Sequence, residues 1–171
     1  GKDDTYPQMR IMTMNLRKVL SHLSLATRVA IAASIIGTTG CAFGGDVDSL
    51  YRAAGNGDTS RVLTLLDGGV DVNARTSDDS YALNRAAVYN QAEMVALLLE
   101  RGADPNVQNS EGDTPLICAT KYAGGHAETV KELIEGGTDL KIKDKDGKTA
   151  LDYAREKGQQ QAIALLKQSG N

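Results

Sequence analysis

From about residue 46 onward, apolar residues recur in short stripes separated by polar turns. Val62, Leu65 and Leu66 form the first stripe, and Met94, Leu97 and Leu98 the second. Val130, Leu133 and Ile134 form the third, and Ile163, Leu165 and Leu166 the fourth. In the first three, spacings of three and four put such residues on one face of a helix. A smaller apolar set precedes each stripe. In the clearest case Leu116 and Ala119 stand at i and i+3 behind Gly112-Asp113-Thr114-Pro115. Gly112 suits a tight turn, the Thr114 hydroxyl can accept a free N–H of the first helical turn, and Pro115 loses nothing at the first helical position. The pattern therefore predicts pairs of helices. The first of each pair opens at such a corner, and the leucine-rich second one ends at glycines such as Gly68-Gly69 and Gly136-Gly137, which suit left-handed caps.

The corner recurs with a fixed period. Leu50, Leu83, Leu116 and Leu151 occupy one slot at intervals of 33, 33 and 35 residues. Gly69-Val70-Asp71-Val72-Asn73, Gly102-Ala103-Asp104-Pro105-Asn106 and Gly137-Thr138-Asp139-Leu140-Lys141 keep the same step, at 33 and 35. Two markers in phase at this period mean stacked repeats, each burying its apolar face only against its neighbours. The units run approximately over 46–78, 79–111, 112–146 and 147–171.

These residues resemble the ankyrin-repeat family, whose pattern is Gly-x-Thr-Pro-Leu-His-x-Ala-Ala, then Gly-His, a leucine-rich helix and Gly-Ala-Asp-x-Asn. The third repeat shows Gly112, Thr114, Pro115, Leu116, Ala119, Gly125 and His126. The second supplies Leu83, Ala86, Ala87, Leu97 to Leu99, Gly102, Ala103, Asp104 and Asn106. Leu50, Ala53, Ala54 and Gly57 carry the first repeat, and Gly147, Thr149, Leu151, Ala154 and Gly158 the fourth. The resemblance implies an all-α repeat fold: an ankyrin solenoid of four helix-turn-helix repeats with short β-hairpin loops. Three departures stand out. Asp48 replaces the first capping threonine. Tyr81-Ala82 replaces the second Thr-Pro, so that helix must borrow a cap from Ser80 or Asp79 or lose roughly 1 kcal/mol. Two extra residues fall among Tyr122-Ala123-Gly124-Gly125, either as a tolerated loop or as a bulge on the binding side.

The same resemblance implies a protein-binding surface made of hairpin tips and the exposed side of the inner helices. Carried over residue by residue, the tips are Ser77, Asp78 and Ser80; Ser110, Glu111 and Asp113; and Lys145, Asp146 and Lys148. The inner-helix positions are Gly55 and Asn56, Val88 and Tyr89, Lys121 and Tyr122, and Glu156 and Lys157, with Arg85 beside them. Partner contact is expected from Asn56, Ser77, Asp78, Ser80, Arg85, Val88, Tyr89, Ser110, Glu111, Asp113, Lys121 and Tyr122. Tyr89 and Tyr122 fall at matching slots in a chain with no Trp and one Phe. Tyrosine joins area, rigidity and a hydroxyl, as binding hot spots require. The alternative is packing of each ring against the next inner helix. Acidic tips on repeats two and three call for a basic or neutral partner patch.

Charge and the start of the chain add a compartment. Residues 1–41 carry five Lys/Arg against two Asp/Glu, and residues 42–171 carry 14 against 20. So acidic a folded part argues against nucleic acid. Lys141, Lys143, Lys145 and Lys148 are diluted by Asp144 and Asp146; they read as a solvated hairpin or a local steering patch. Residues 1–13 are patternless and left unassigned; Met9, Met12 and Met14 are candidate starts. Residues 14–40 read as a signal peptide: Arg17 and Lys18, then 17 residues without charge from 29 to 45. Thr38-Thr39-Gly40-Cys41 resembles the lipobox of bacterial lipoproteins, with Thr38 where Leu is usual. The resemblance implies lipidation at Cys41, a tether over 41–45, an ankyrin domain over 46–171 and anchoring to the outer membrane from the periplasm. Ordinary cleavage nearby, with Cys41 incidental, is the alternative.

Candidate chemistry is sparse. His126 alone among the histidines lies in the repeats, at a slot that implies a structural hydrogen bond. Cys118 falls on an inner helix, where a buried inert thiol is expected. No zinc spacing or phosphate-cradling loop is present, so no enzyme, cofactor, metal or small-molecule substrate is expected. The expected function is a periplasmic lipid-anchored protein-binding module, most concretely an immunity protein that covers the active site of a toxic effector. Lipoproteins resembling this one occur among immunity proteins for type VI secretion lipase effectors. A periplasmic scaffold or stress-protection protein without a toxin partner is the alternative.

Overall fold

The computed structural model describes residues 44–170. Cys41 and the expected signal peptide lie outside the described residues.

The paired stripes become paired helices. They are α1 (Gly44–Asn56) and α2 (Thr59–Asp67), α3 (Ala82–Val88) and α4 (Ala92–Glu100), α5 (Pro115–Lys121) and α6 (Ala127–Glu135), and α7 (Ala150–Glu156) and α8 (Gln160–Ser169). The first member of each pair stacks on its successor, α1 on α3, α3 on α5 and α5 on α7. The outer helices follow, α4 on α6 and α6 on α8. This is the four-repeat helical solenoid. Helix α1 begins two residues ahead of the expected boundary, so Gly44 and Gly45 lie in its first turn. For the same reason Asp48 stands inside α1 and is not its cap.

The core is a continuous seam of Leu, Val and Ala. Leu50, Leu83 and Leu116 are buried at the corner slot, while Leu151 is half-buried. Ala54, Ala87 and Ala154 are completely covered, which lets neighbouring inner helices approach closely. From the outer helices come Val62, Leu65, Met94, Val95, Leu98, Val130, Leu133, Ala162 and Leu166.

Capping follows residue type. Thr114 Oγ1 accepts from the Ile117 N–H at 3.2 Å, with Pro115 next in line. Thr149 and Asp152 form a reciprocal capping box, and Asp58 caps α2. Helix α3 starts at Tyr81 without a side-chain cap; neither Ser80 nor Asp79 supplies one. At the helix ends it is the second glycine of each pair, Gly69 and Gly137, that turns left-handed.

No strand occurs among the described residues; each hairpin tip is a tight turn closed by two backbone hydrogen bonds, the inner one from Asp79, Gly112 or Gly147 N–H to Thr76, Asn109 or Asp144 O. The N–H groups of Thr76, Asn109 and Asp144 donate to the carbonyls of Ser80, Asp113 and Lys148 at 2.9, 3.1 and 3.0 Å. Adjacent tips join when Ser110 N–H donates to Asp79 O and Lys145 N–H to Glu111 O. Below the tips, Asp71, Asp104 and Asp139 each accept the N–H two residues on. Asn73 and Asn106 then accept the N–H of Asp104 and Asp139 in the next loop, at 2.8 and 2.7 Å. The inserted turn is not a free loop. Gly125 N–H donates to Ala119 O, and its backbone lies against Gln159 and Ala162 of the following repeat.

Candidate functional site

Helices α1, α3, α5 and α7 and the tips that precede the last three present one face. The structure divides the expected contact residues on it into an exposed set and a set used to hold the face together.

Tip residues Ser77, Asp78, Ser110 and Glu111 are exposed, as is Asn56 at the end of α1. Tyr89 and Tyr122, the residues just beyond α3 and α5, are 50% and 53% exposed; they are the large hydrophobics left open to solvent among the described residues. Their rings are backed by cations of their own repeat. The Arg85 guanidinium carbon lies 4.4 Å from the Tyr89 ring centre and 4.9 Å from that of Tyr51. It passes over Gly55, where a Cβ would come within 2.7 Å of its side chain. Gly55, expected at the surface, is buried for that reason. Arg85, Asp78 and Ser77 also share a cleft of about 170 Å³ with Asp48, Tyr51 and Arg52.

Repeats three and four are joined by an ionic cluster. Asp113, expected on the acidic rim, is completely buried, and Lys121, expected to face a partner, is 19% exposed. Lys121 Nζ lies 3.0 Å from Asp113 Oδ1 and 3.5 Å from Asp144 Oδ2. Tyr122 Oη donates to Asp113 and Tyr153 Oη to Asp144. The same ammonium stands 5.4 Å from the Tyr122 ring centre and 5.2 Å from that of Tyr153. Burial opposes the charge on Lys121, but the bond to Asp113 and its field prevail and raise its pKa. Burial and the bond to Asp144 push the Tyr153 phenol up to about 12. For Asp144, burial is outweighed by bonds from Tyr153 and the Lys148 N–H and by the Lys121 charge, which hold it below the usual carboxylate range. Asp113 and Lys121 therefore act by orientation, fixing the tip and the Tyr122 ring.

Val88 and Ser80 are half-buried; Val88 packs against the core and Ser80 N–H donates to Thr76 Oγ1. Lys148, expected as a tip residue, is tied to Glu156 at 2.8 Å. His126 is exposed at the start of α6, and its side chain does not cap that helix. Cys118 is buried, and burial raises its pKa to about 12, as an inert thiol requires.

Sequence reasoning missed the anchors of the tips. Thr76, Asn109 and Asp144, at one slot of successive repeats, accept tip N–H groups through their side chains. It also missed the pairing of tip root with helix end, Asp113 with Lys121 and Lys148 with Glu156, eight residues apart in both cases. Complementary charges at that spacing, reversed in sign between repeats, were the available signal.

Between the outer helices, Glu93, Glu128 and Glu132 line a groove of about 440 Å³ together with Asn90 and Gln91. Among the described residues no group of three or more His, Cys, Asp or Glu could hold a metal ion, and no helix is long and apolar enough to cross a membrane. A family model described as "Ankyrin repeats (3 copies)" matches residues 50–144 and again 83–171. A comparison with curated proteins finds no match.

Proposed function

Since the chain belongs to the ankyrin-repeat family and the array is a protein-binding module, we propose that it is a lipid-anchored periplasmic immunity protein. It binds a toxic effector, such as a type VI secretion phospholipase, and inhibits it by covering the active site. One observation carries the reading: a pair of half-exposed tyrosines, each backed by a cation, on a face whose neighbouring tips are braced by side-chain hydrogen bonds. Such a face presents anchors at little entropic cost, which favours tight occlusion of a cleft. The compartment rests on Thr38-Thr39-Gly40-Cys41, whose cysteine offers the thiol for a diacylglycerol anchor.

The test is co-expression with a secreted phospholipase, taken from the neighbouring gene if that gene encodes one. Protection of the cell envelope and a purified complex are expected. Tyr89→Ala with Tyr122→Ala should abolish both, while Cys41→Ser should keep the purified complex and lose membrane fractionation and protection. Killing that continues unchanged, with no complex formed, would refute the immunity reading in favour of a scaffold without a toxin partner.

A further inference from the structure

The cations behind the two tyrosines restrict what can dock on them. An aromatic face is electron-rich and ordinarily attracts a lysine or arginine of a partner. Here that attraction is already taken. The Arg85 guanidinium lies 4.4 Å from the Tyr89 ring centre, and the Lys121 ammonium 5.4 Å from the Tyr122 ring centre. Neither cation is free to leave: Arg85 is also stacked on Tyr51 with Nη1 3.4 Å from its hydroxyl, and Lys121 is tied to Asp113 and Asp144. A second cation brought to the open side of the Tyr89 ring would face across it the fixed charge of Arg85, unpaired among the described residues. Behind Tyr122 the ammonium is offset by Asp113 and Asp144 but still occupies the ring's inner face. Neutral hydrocarbon meets no such penalty and covers the exposed half of each ring.

The two rings follow α3 and α5, which pack on each other, at matching slots of neighbouring repeats. The adjoining tips carry the opposite preference. Asp78 and Glu111 are exposed and enter no ion pair among the described residues, whereas Asp79 beside them is paired with Arg75.

We infer that this face receives a protein surface with a neutral aliphatic knob at its centre and lysine or arginine at its margin. The knob sits against Tyr89 and Tyr122, and the basic margin faces Asp78 and Glu111. The inference rests on the array binding a protein through this face, but it is independent of whether that protein is a toxin.

It is tested on the full chain with two capped peptides, acetyl-Lys-Leu-Leu-Lys-amide and acetyl-Lys-Arg-Arg-Lys-amide, followed by NMR of the tyrosine rings. The leucine peptide should shift both rings and bind at least tenfold tighter than the arginine peptide. Asp78→Asn with Glu111→Gln should weaken it severalfold, as should added salt. Arg85→Gln frees the Tyr89 ring, so the arginine peptide should gain at least threefold there. Equal or tighter binding of the arginine peptide to the unaltered chain overturns the inference, as does the absence of ring shifts with both peptides. A leucine preference without any effector complex would retain this surface and discard the immunity reading.

Discussion

Lys121 keeps its ammonium 3.0 Å from one shielded carboxylate and 3.5 Å from another. Replacing it by Met preserves the stem and leaves two facing anions without their counter-charge. Breaking a pair of this kind costs about 3–5 kcal/mol, because the remaining charge is stranded away from water. Urea unfolding of Lys121→Met should show that loss, whereas Glu111→Gln at the exposed tip should change stability by less than about 0.5 kcal/mol. Equal effects would contradict the burial described here. The contrast shows where the sequence was silent. Glu111 and Asp113 stand two residues apart in one acidic tip, and composition treats them alike. They separate because side chains at the tip root point back along the inner helix and those at the apex do not. Tyr89 and Tyr122 were legible as exposed, since their repeat slots lie just past the buried alanines. Their backing by Arg85 and Lys121 was not, since it depends on which way long side chains lie across neighbouring elements.

At the scale of the element, the repeats differ in how their helices are stopped and started. Helix α5 has Thr114 and Pro115, and α3 has neither, as the substitution at Tyr81-Ala82 had announced. Thr114→Ala should cost about 1 kcal/mol, read from thermal unfolding. Helix α1 was misread in its first turn because glycine-rich segments carry no apolar period, while the tertiary packing of Val47 and Leu50 extends it backward. The inserted turn was visible as two extra residues, but its docking was hidden. Gly124 (φ +79°) faces open space, its nearest neighbour being His126 at 4.0 Å, whereas a Cβ on Gly125 (φ +65°) would sit 2.0 Å from Gln159 Oε1. That glutamine cannot simply step aside, since its Nε2 donates to Thr120 O at 2.8 Å and caps α5 from the next repeat. Gly124→Ala should therefore cost about 1 kcal/mol of backbone strain, and Gly125→Ala distinctly more. Matching losses from the two variants would return the insertion to the status of a free loop.

Across the whole molecule the number of repeats and their order could be read from two periodic markers, because a stacked array is built from local units with neighbour contacts. The uneven distribution of its electrostatics could not, since it arises from contacts between repeats. Two carboxylates held below their usual range, Asp144 and Asp152, both lie where repeat three meets repeat four. Asp152 is lowered by the Thr149 N–H and hydroxyl that cap α7; Asp144 faces Tyr153, Lys121 and the N–H groups of Lys148 and Asp146. A carboxyl whose folded pKa lies below its unfolded value contributes stability in full above the unfolded value, roughly pH 4. It loses that contribution as pH falls toward the folded value, because the unfolded chain takes up protons first. Acid should therefore loosen the array from one side. Protonating Asp144 releases the third tip and unbalances Lys121, and protonating Asp152 opens the cap of α7. Amide exchange on the full chain between pH 6 and pH 3 should show α7 and α8 losing protection ahead of α3 and α4, with the difference reversed on return to neutral pH. The intrinsic pH dependence of exchange cancels when each amide is compared with its unfolded rate. Uniform loss across all helices would mean that the array unfolds as one cooperative block and that these two bonds do not set its acid limit.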